Sequence, residues 1–70
     1  MKYAVVIEKT ESNYSAYVPD LPGCVATGAT VDEVTKEIVT AIGFHIEGMK
    51  EDGEAIPQPS STVEYIEVAA

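Results

Sequence analysis

Two side chains in this sequence belong to types that commonly perform chemistry: His45, the only histidine, and Cys24, the only cysteine. A catalytic or metal-binding histidine needs partners, and the sequence offers no second histidine and no neighbouring cysteine. His45 also falls on the apolar stripe of a predicted helix, which favours a partly packed boundary side chain. Cys24 follows a Pro-Gly turn at the start of a predicted strand, which favours a small buried thiol. We therefore predict no catalytic residue, no metal site and no cofactor.

Alternating apolar residues predict the strands of a small sheet. Residues 2–9 and 14–18 alternate and are joined by a turn at Ser12-Asn13. Pro22-Gly23 has the chemistry of a type II turn, and residues 24–27 form a short third strand.

A long helix is predicted over residues 31–52. Thr30 and Glu33 have the spacing of a capping box, which marks the start of a helix. Gly53 suits the position just past its end. The helix carries one apolar stripe at three- and four-residue spacing, made of Val31, Val34, Ile38, Ile42, His45 and Met49.

Residues 62–68 alternate again and predict a last strand, which can run parallel to the first because a long connection precedes it. The predicted fold is one α+β domain spanning residues 1–70, a two-layer β-β-(β)-α-β arrangement with one helix on a three- to four-stranded sheet. One sheet face stays uncovered, so we expect a homodimer or higher homo-oligomer. The sequence leaves open which sheet face meets the helix. Four residues can contribute to the uncovered face: Ala4, Val6, Ile66 and Val68.

Composition excludes several classes of protein. The 70 residues include twelve acids and four Lys or Arg residues, for a net charge of −8. This charge argues against direct nucleic-acid binding, which needs clusters of Lys and Arg. A single cysteine cannot form an internal disulfide. Apolar runs are too short to span a membrane, and the N-terminus lacks the apolar block of a signal peptide, so we expect a cytoplasmic protein.

The segment Tyr14–Gly28, with its Asp-Leu-Pro-Gly-Cys turn, resembles the HicB family of type II antitoxins. The resemblance continues through residues 30–34, 45–53 and 56–59. It implies a partial RNase H-like fold and the task of binding and silencing HicA, a small basic mRNA-cleaving toxin. Many members also carry a C-terminal DNA-binding segment. This sequence stops at Ala70, so we expect it not to bind promoter DNA. The alternative is a stand-alone oligomeric scaffold of the same fold without a toxin partner.

An RNase H-like layout raises the question of two-metal catalysis, which needs several carboxylates converging on one pocket. The interior of the first strand is Ala-Val-Val-Ile and holds no acid, so we predict that the protein is not an enzyme. The available carboxylates are Glu8, Glu33, Glu37, Glu64 and Glu67.

Phe44 is the first candidate for a partner contact. It falls about 140° from the centre of the apolar stripe. Its neighbours on that side of the helix, Ala41 and Gly48, are small, so Phe44 can insert into a partner surface. The alternative is that the loop 54–60 or the C-terminus folds over it.

Four further residues are candidates for partner binding. Asp20 and Leu21 sit beside a rigid bend, which lowers the entropy cost of binding. Glu37 and Glu51 are acids of the outer helix face, where they can attract a basic toxin and speed association. The alternative for the acids is a surface that only promotes solubility.

Overall fold

The computed structural model describes all 70 residues and contains three strands followed by one helix. The strands are β1 (Val6–Lys9), β2 (Tyr14–Tyr17) and β3 (Val25–Gly28), and the helix α1 covers Val31–Glu51. The sheet is antiparallel in the order β1-β2-β3, so β1 and β3 are its edges. α1 packs mainly on β3 and β2. The predicted α+β architecture is confirmed: the sheet has three strands, within the predicted three to four, and the chain forms no strand after the helix.

Two turns form where the sequence predicted them. Between β1 and β2, the Thr10 N–H donates to the Asn13 carbonyl at 2.8 Å. Between β2 and β3, the Cys24 N–H donates to the Leu21 carbonyl at 3.0 Å, and Gly23 has a φ of 84°. A positive φ at the third residue of a turn is the type II geometry, and glycine adopts it without steric cost.

The start of α1 is fixed by side-chain hydrogen bonds. The Glu33 N–H donates to Thr30 Oγ1 at 3.1 Å, and the Ala29 N–H donates to Glu33 Oε2 at 3.0 Å. Thr30 is thus the N-cap, and the Glu33 side chain reaches back to the backbone of Ala29, the residue before the cap. These bonds satisfy N–H groups that a helix start otherwise leaves free.

The end of α1 is a Schellman motif. Gly53 has a φ of 69°, and its N–H donates to the Lys50 carbonyl at 3.1 Å. The Glu54 N–H donates to the Met49 carbonyl at 2.9 Å. This pair of bonds ends the helix at the predicted place and turns the chain back toward the sheet.

The core lies between α1 and the sheet face that includes Ala16 and Ala26, which pair in register with each other. Val31, the first residue of α1, is 47 % exposed, so including it in the buried stripe was wrong. The stripe begins one turn later. Ile42, together with His45 and Met49, is half-buried. The fully buried set is Ala16, Val18, Leu21, Cys24, Val34 and Ile38.

Gly28, the last residue of β3, allows α1 to approach the sheet closely. A Cβ at this position would lie 2.6 Å from the Val34 backbone nitrogen and 3.1 Å from the Glu33 carbonyl carbon. Atoms in ordinary contact are at least 3.4 Å apart. The first turn of α1 therefore rests against β3 because residue 28 has no side chain.

The opposite sheet face is uncovered. Val6, Tyr17 and Val25 are paired across the three strands and form one apolar row on it. Tyr17 is 40 % and Val25 65 % exposed. Tyr3 and Val5 pack against the core under α1, so Val6 belongs to the outer face, one of the two assignments that the sequence left open.

Two strand predictions were wrong in extent. The first strand was predicted over residues 2–9 but forms over 6–9, and residues 62–68 form no strand. A strand exists only where its backbone groups find partners. Neither residues 2–5 nor residues 62–68 make backbone hydrogen bonds within this chain.

Candidate partner-binding surface

Phe44 projects from the outer side of α1 and is 76 % exposed. Neither the loop 54–60 nor the C-terminus covers it, which settles the alternative that the sequence left open. Glu37 and Glu51 lie seven residues before and after it, two turns away on the same side of the helix. The residues that share this side are called the Phe44 face here: Glu37, Thr40, Phe44, Glu47, Gly48 and Glu51.

The Phe44 ring stands between two shallow depressions. One has a volume of about 310 Å³ and is lined by Thr40, Gly43 and Glu47 as well as Phe44. The other, of about 590 Å³, lies between α1 and the segments that flank it. Its remaining lining residues are Pro22, His45, Gly48, Met49, Asp52, Glu54 and Pro57.

Two glycines supply the space beside the Phe44 ring. A Cβ added at Gly43 or Gly48 would meet no atom within 4 Å. Packing within this chain therefore does not require either glycine. Both nevertheless occur, although each glycine inside a helix costs about 1 kcal/mol of stability relative to alanine. The sequence identified Gly48 as a small neighbour of Phe44, whereas Gly43 was not assigned to this surface before the structure showed it there.

The negative charge is concentrated on and just after α1. Residues 31–54 contain seven acids and two lysines, a net charge of −5 out of the total of −8. One ion pair forms, between Lys50 Nζ and Glu47 Oε1 at 3.8 Å, and both side chains are largely exposed. Exposed pairs of this kind contribute little to stability, and the net charge of −5 already counts both side chains. The Phe44 face therefore presents an apolar ring within a negative field.

The two candidates in the β2–β3 turn have different environments. Leu21 is fully buried, so the prediction that its side chain contacts a partner is wrong in this conformation. Its role is packing: the turn folds it under α1. Asp20 is half-buried and binds the chain after the helix rather than facing an open surface.

The Asp20 carboxylate accepts four hydrogen bonds from two consecutive serines. The Ser60 and Ser61 N–H groups both donate to Oδ2 at 3.0 Å. Their hydroxyls donate to Oδ1, at 3.1 Å from Ser60 and 2.8 Å from Ser61. The backbone and hydroxyl donors stabilise the charged form and lower the pKa of Asp20 from 3.8 to about 2. No signal in the sequence indicated this long-range contact.

The two residues first considered for chemistry, Cys24 and His45, have different environments. Cys24 is buried, and burial raises the pKa of its thiol, which disfavours the nucleophilic thiolate. His45 lies half-buried on the wall of the larger depression. No three His, Cys, Asp or Glu side chains approach closely enough to hold a metal ion. No helix in this chain combines the length with the apolar character that crossing a membrane requires.

The fold and surface together define a small acidic α+β domain with an exposed aromatic ring on its helix. The family of this domain is shown by its sequence. A family model described as the HicB_like antitoxin of bacterial toxin–antitoxin systems matches residues 3–69. The chain belongs to this family, and the resemblance inferred from its residues is confirmed.

Proteins from a phage and from an archaeon are similar to this chain in sequence. An uncharacterized 14.9 kDa protein from the rep–hol intergenic region of Haemophilus phage HP1 is 44 % identical over 66 residues, which are 94 % of this chain. The match covers 50 % of the phage protein, so this chain spans about half of its length. A UPF0150 protein of Archaeoglobus fulgidus is 44 % identical over 59 residues, covering 80 % of this chain and 86 % of that protein.

A solved structure has the same fold. It is a chain of the HicA3 and HicB3 toxin–antitoxin complex, with a TM-score of 0.74 and 32 % sequence identity. The match covers 86 % of this chain and 70 % of that chain. The neighbour thus supports both the fold and the antitoxin family by an independent comparison.

Proposed function

We propose that this protein is an antitoxin-type binding module that sequesters a small basic HicA-type toxin and has no enzymatic activity of its own. The observation that carries the proposal is the match of nearly the whole chain to a HicB-like antitoxin, together with its likeness to a chain from a toxin–antitoxin complex. The alternative is a scaffold of the same fold without a toxin partner.

We place the toxin contact on the Phe44 face. An aromatic side chain that is 76 % exposed, with open space on both sides, has the form of an interface anchor. The space that Gly43 and Gly48 leave lets a partner backbone approach the helix closely. The glycines weaken the helix without improving packing inside this chain, and a partner contact gives them a physical purpose.

The acids of the same face would guide the toxin to it. A toxin that binds RNA presents cationic groups to phosphates, and an acidic helix competes for those groups. Exposed charges interact over about 8 Å at physiological ionic strength, so their effect is on the encounter rather than on the lifetime of the complex. We therefore assign Glu37 and Glu51 to steering and Phe44 to anchoring.

The first experiment separates steering from anchoring by measuring association and dissociation rates with the HicA-type toxin at low and high salt. Glu37→Lys and Glu51→Lys should slow association at low salt and leave dissociation nearly unchanged. Glu11→Lys, the same charge change in the β1–β2 hairpin, is the matched control and should have a smaller effect. An association rate that does not depend on salt would show that the acids serve solubility only.

The second experiment tests the anchor. Phe44→Ala should speed dissociation about 30-fold, the equivalent of about 2 kcal/mol for a central aromatic anchor. Val39→Ala is its matched control, because Val39 is 64 % exposed on another side of the same helix. Equal effects of the two substitutions on dissociation would show that the toxin does not bind the Phe44 face. Failure of the unaltered chain to bind the toxin or to stop its RNA cleavage would favour the scaffold.

Gly48→Ala gives a test in which stability and binding change in opposite directions. The added methyl group meets nothing in this chain, so the helix should gain about 1 kcal/mol. The same methyl group fills part of the depression beside Phe44 and should weaken toxin binding. A variant that is more stable and binds equally well would show that the depression is unoccupied in the complex.

Absence of enzymatic activity is tested separately. The purified chain, incubated with labelled RNA or DNA and Mg²⁺ or Mn²⁺, should leave both intact. Metal-dependent cleavage that Glu8→Gln abolishes would contradict the proposal.

A further inference from the structure

The last nine residues form an exposed apolar segment without a partner. This C-terminal arm, residues 62–70, is exposed at every position. Val63 and Tyr65 alternate onto one side of an extended chain, and Ile66 and Val68 onto the other. Tyr65 is 95 % and Ile66 81 % exposed. So many large apolar side chains in one short segment mark a surface that another chain covers.

The β1 edge lacks a neighbour along its whole length. Tyr3, Ala4 and Val5 are half-buried, yet their backbone groups make no hydrogen bond within the chain. Ile7 pairs in register with the buried Ala16, on the side of the sheet that faces α1, but it is still 37 % exposed. An unpaired edge with open backbone groups readily accepts another strand.

The arm leaves the domain from a fixed point and extends away from it. The four hydrogen bonds to Asp20 hold Ser60 and Ser61, the residues just before the arm. The Tyr3 hydroxyl also donates to the Pro57 carbonyl at 2.6 Å. The radius of gyration is 13.7 Å, against about 11 Å for a compact chain of this length. The arm is therefore held at its root and free beyond it.

We propose that the arm of one chain pairs as a strand with the β1 edge, residues 2–9, of a second copy, and that the exchange is reciprocal. The arm has apolar residues on both sides, as a strand needs when it extends both the covered face and the outer apolar row. Charge also favours this occupant. The arm carries Glu64 and Glu67, whereas residues 2–9 carry Lys2 and Lys9 against the single acid Glu8, a net charge of +1 in a protein whose total is −8.

The exchange gives each protomer a fourth strand from its partner. The added strand covers Ile7, supplies hydrogen-bond partners to the backbone around Val5, and removes the open edge. The sequence pattern of the arm is therefore that of a strand, although the single chain contains no strand there.

The first test is the mass of the full-length chain in solution by light scattering at micromolar concentrations. The expected value is about 15 kDa, twice the 7.5 kDa of one chain. Tyr65→Ala combined with Ile66→Ala should return the mass to that of a monomer. The matched control, Val39→Ala with Phe44→Ala, removes two largely exposed apolar side chains from α1 and should remain a dimer. A monomeric unaltered chain, or a dimer that survives the arm substitutions, overturns the proposal.

The second test identifies which segments pair, and it does not depend on any variant. Amide hydrogen exchange should show protection in residues 63–67 and in residues 3–5. In a mixture of isotope-labelled and unlabelled chains, nuclear Overhauser contacts should connect the arm of one chain to the β1 edge of the other. Contacts found only within a single chain, or an arm without protected amides, overturn the proposal.

Discussion

Gly28→Ala should destabilise the protein because of the close approach between β3 and α1. The new Cβ would lie 2.6 Å from the Val34 nitrogen, about 0.8 Å short of the 3.4 Å at which ordinary contact begins. Both obstructing groups belong to the helix backbone, so no side-chain rotation relieves the clash. The first turn of α1 must move outward, and Val34, which is fully buried, must move with it.

The expected magnitude follows from two opposing terms. Forcing an extra carbon into a well-packed site costs about 1–3 kcal/mol. Replacing glycine by alanine recovers about 0.4–1 kcal/mol by restricting the unfolded chain. The net loss is therefore about 1–2 kcal/mol, which for a chain of this size lowers Tm by about 4–16 °C.

The assay is urea unfolding followed by circular dichroism, with every variant at the same protein concentration so that self-association does not enter the comparison. Gly43→Ala is the matched control, because its Cβ meets nothing and alanine favours the helix. It should raise the free energy of unfolding by about 1 kcal/mol. A Gly28→Ala variant as stable as the unaltered chain would refute the close helix–sheet contact.

Three further substitutions or conditions test individual contacts. Leu21→Ala should lower the free energy of unfolding, measured with urea, by about 2–5 kcal/mol because the side chain is fully buried. An unchanged free energy of unfolding would show that Leu21 is not part of the core. Thr30→Ala should cost about 1 kcal/mol by removing the N-cap, measured in the same way. Because the pKa of Asp20 is lowered to about 2, its contribution is complete above pH 4 or so and is lost as the pH falls toward 2. The protection of the Ser60 and Ser61 amides, measured as their exchange rate relative to an unstructured chain at the same pH, should fall over that range, and an Asp20→Asn variant should show no such transition.

Local chemistry predicted most of the fold. The capping residue Thr30, the positive φ at Gly53 and the Pro22-Gly23 turn each depend on a few neighbouring residues, and all three formed as expected. Helix caps and type II turns are local because their hydrogen bonds join residues three to five apart. The bounds of α1 and the order of the first three strands follow from such signals.

Candidate site residues were predictable only where exposure depends on helix periodicity. Phe44, Glu37 and Glu51 lie on the outer side of α1, as their angular positions indicated. Asp20 and Leu21 lie in a turn, where no period separates inside from outside. Leu21 packs into the core, and Asp20 binds serines forty residues further along the chain. Contacts of that separation depend on how the whole chain returns, which local patterns do not encode.

The C-terminal arm has the sequence pattern of a strand, although the single chain forms no strand there. Alternation in residues 62–68 reports which side chains need burial on each side of an extended segment, and it applies whichever chain supplies the neighbouring strand. A helix such as α1 satisfies its own backbone, so its pattern and its structure agree within one chain. A strand obtains its hydrogen bonds from outside itself. The unpaired arm and the unpaired β1 edge have this same deficiency, and the proposed pairing between two copies would satisfy both.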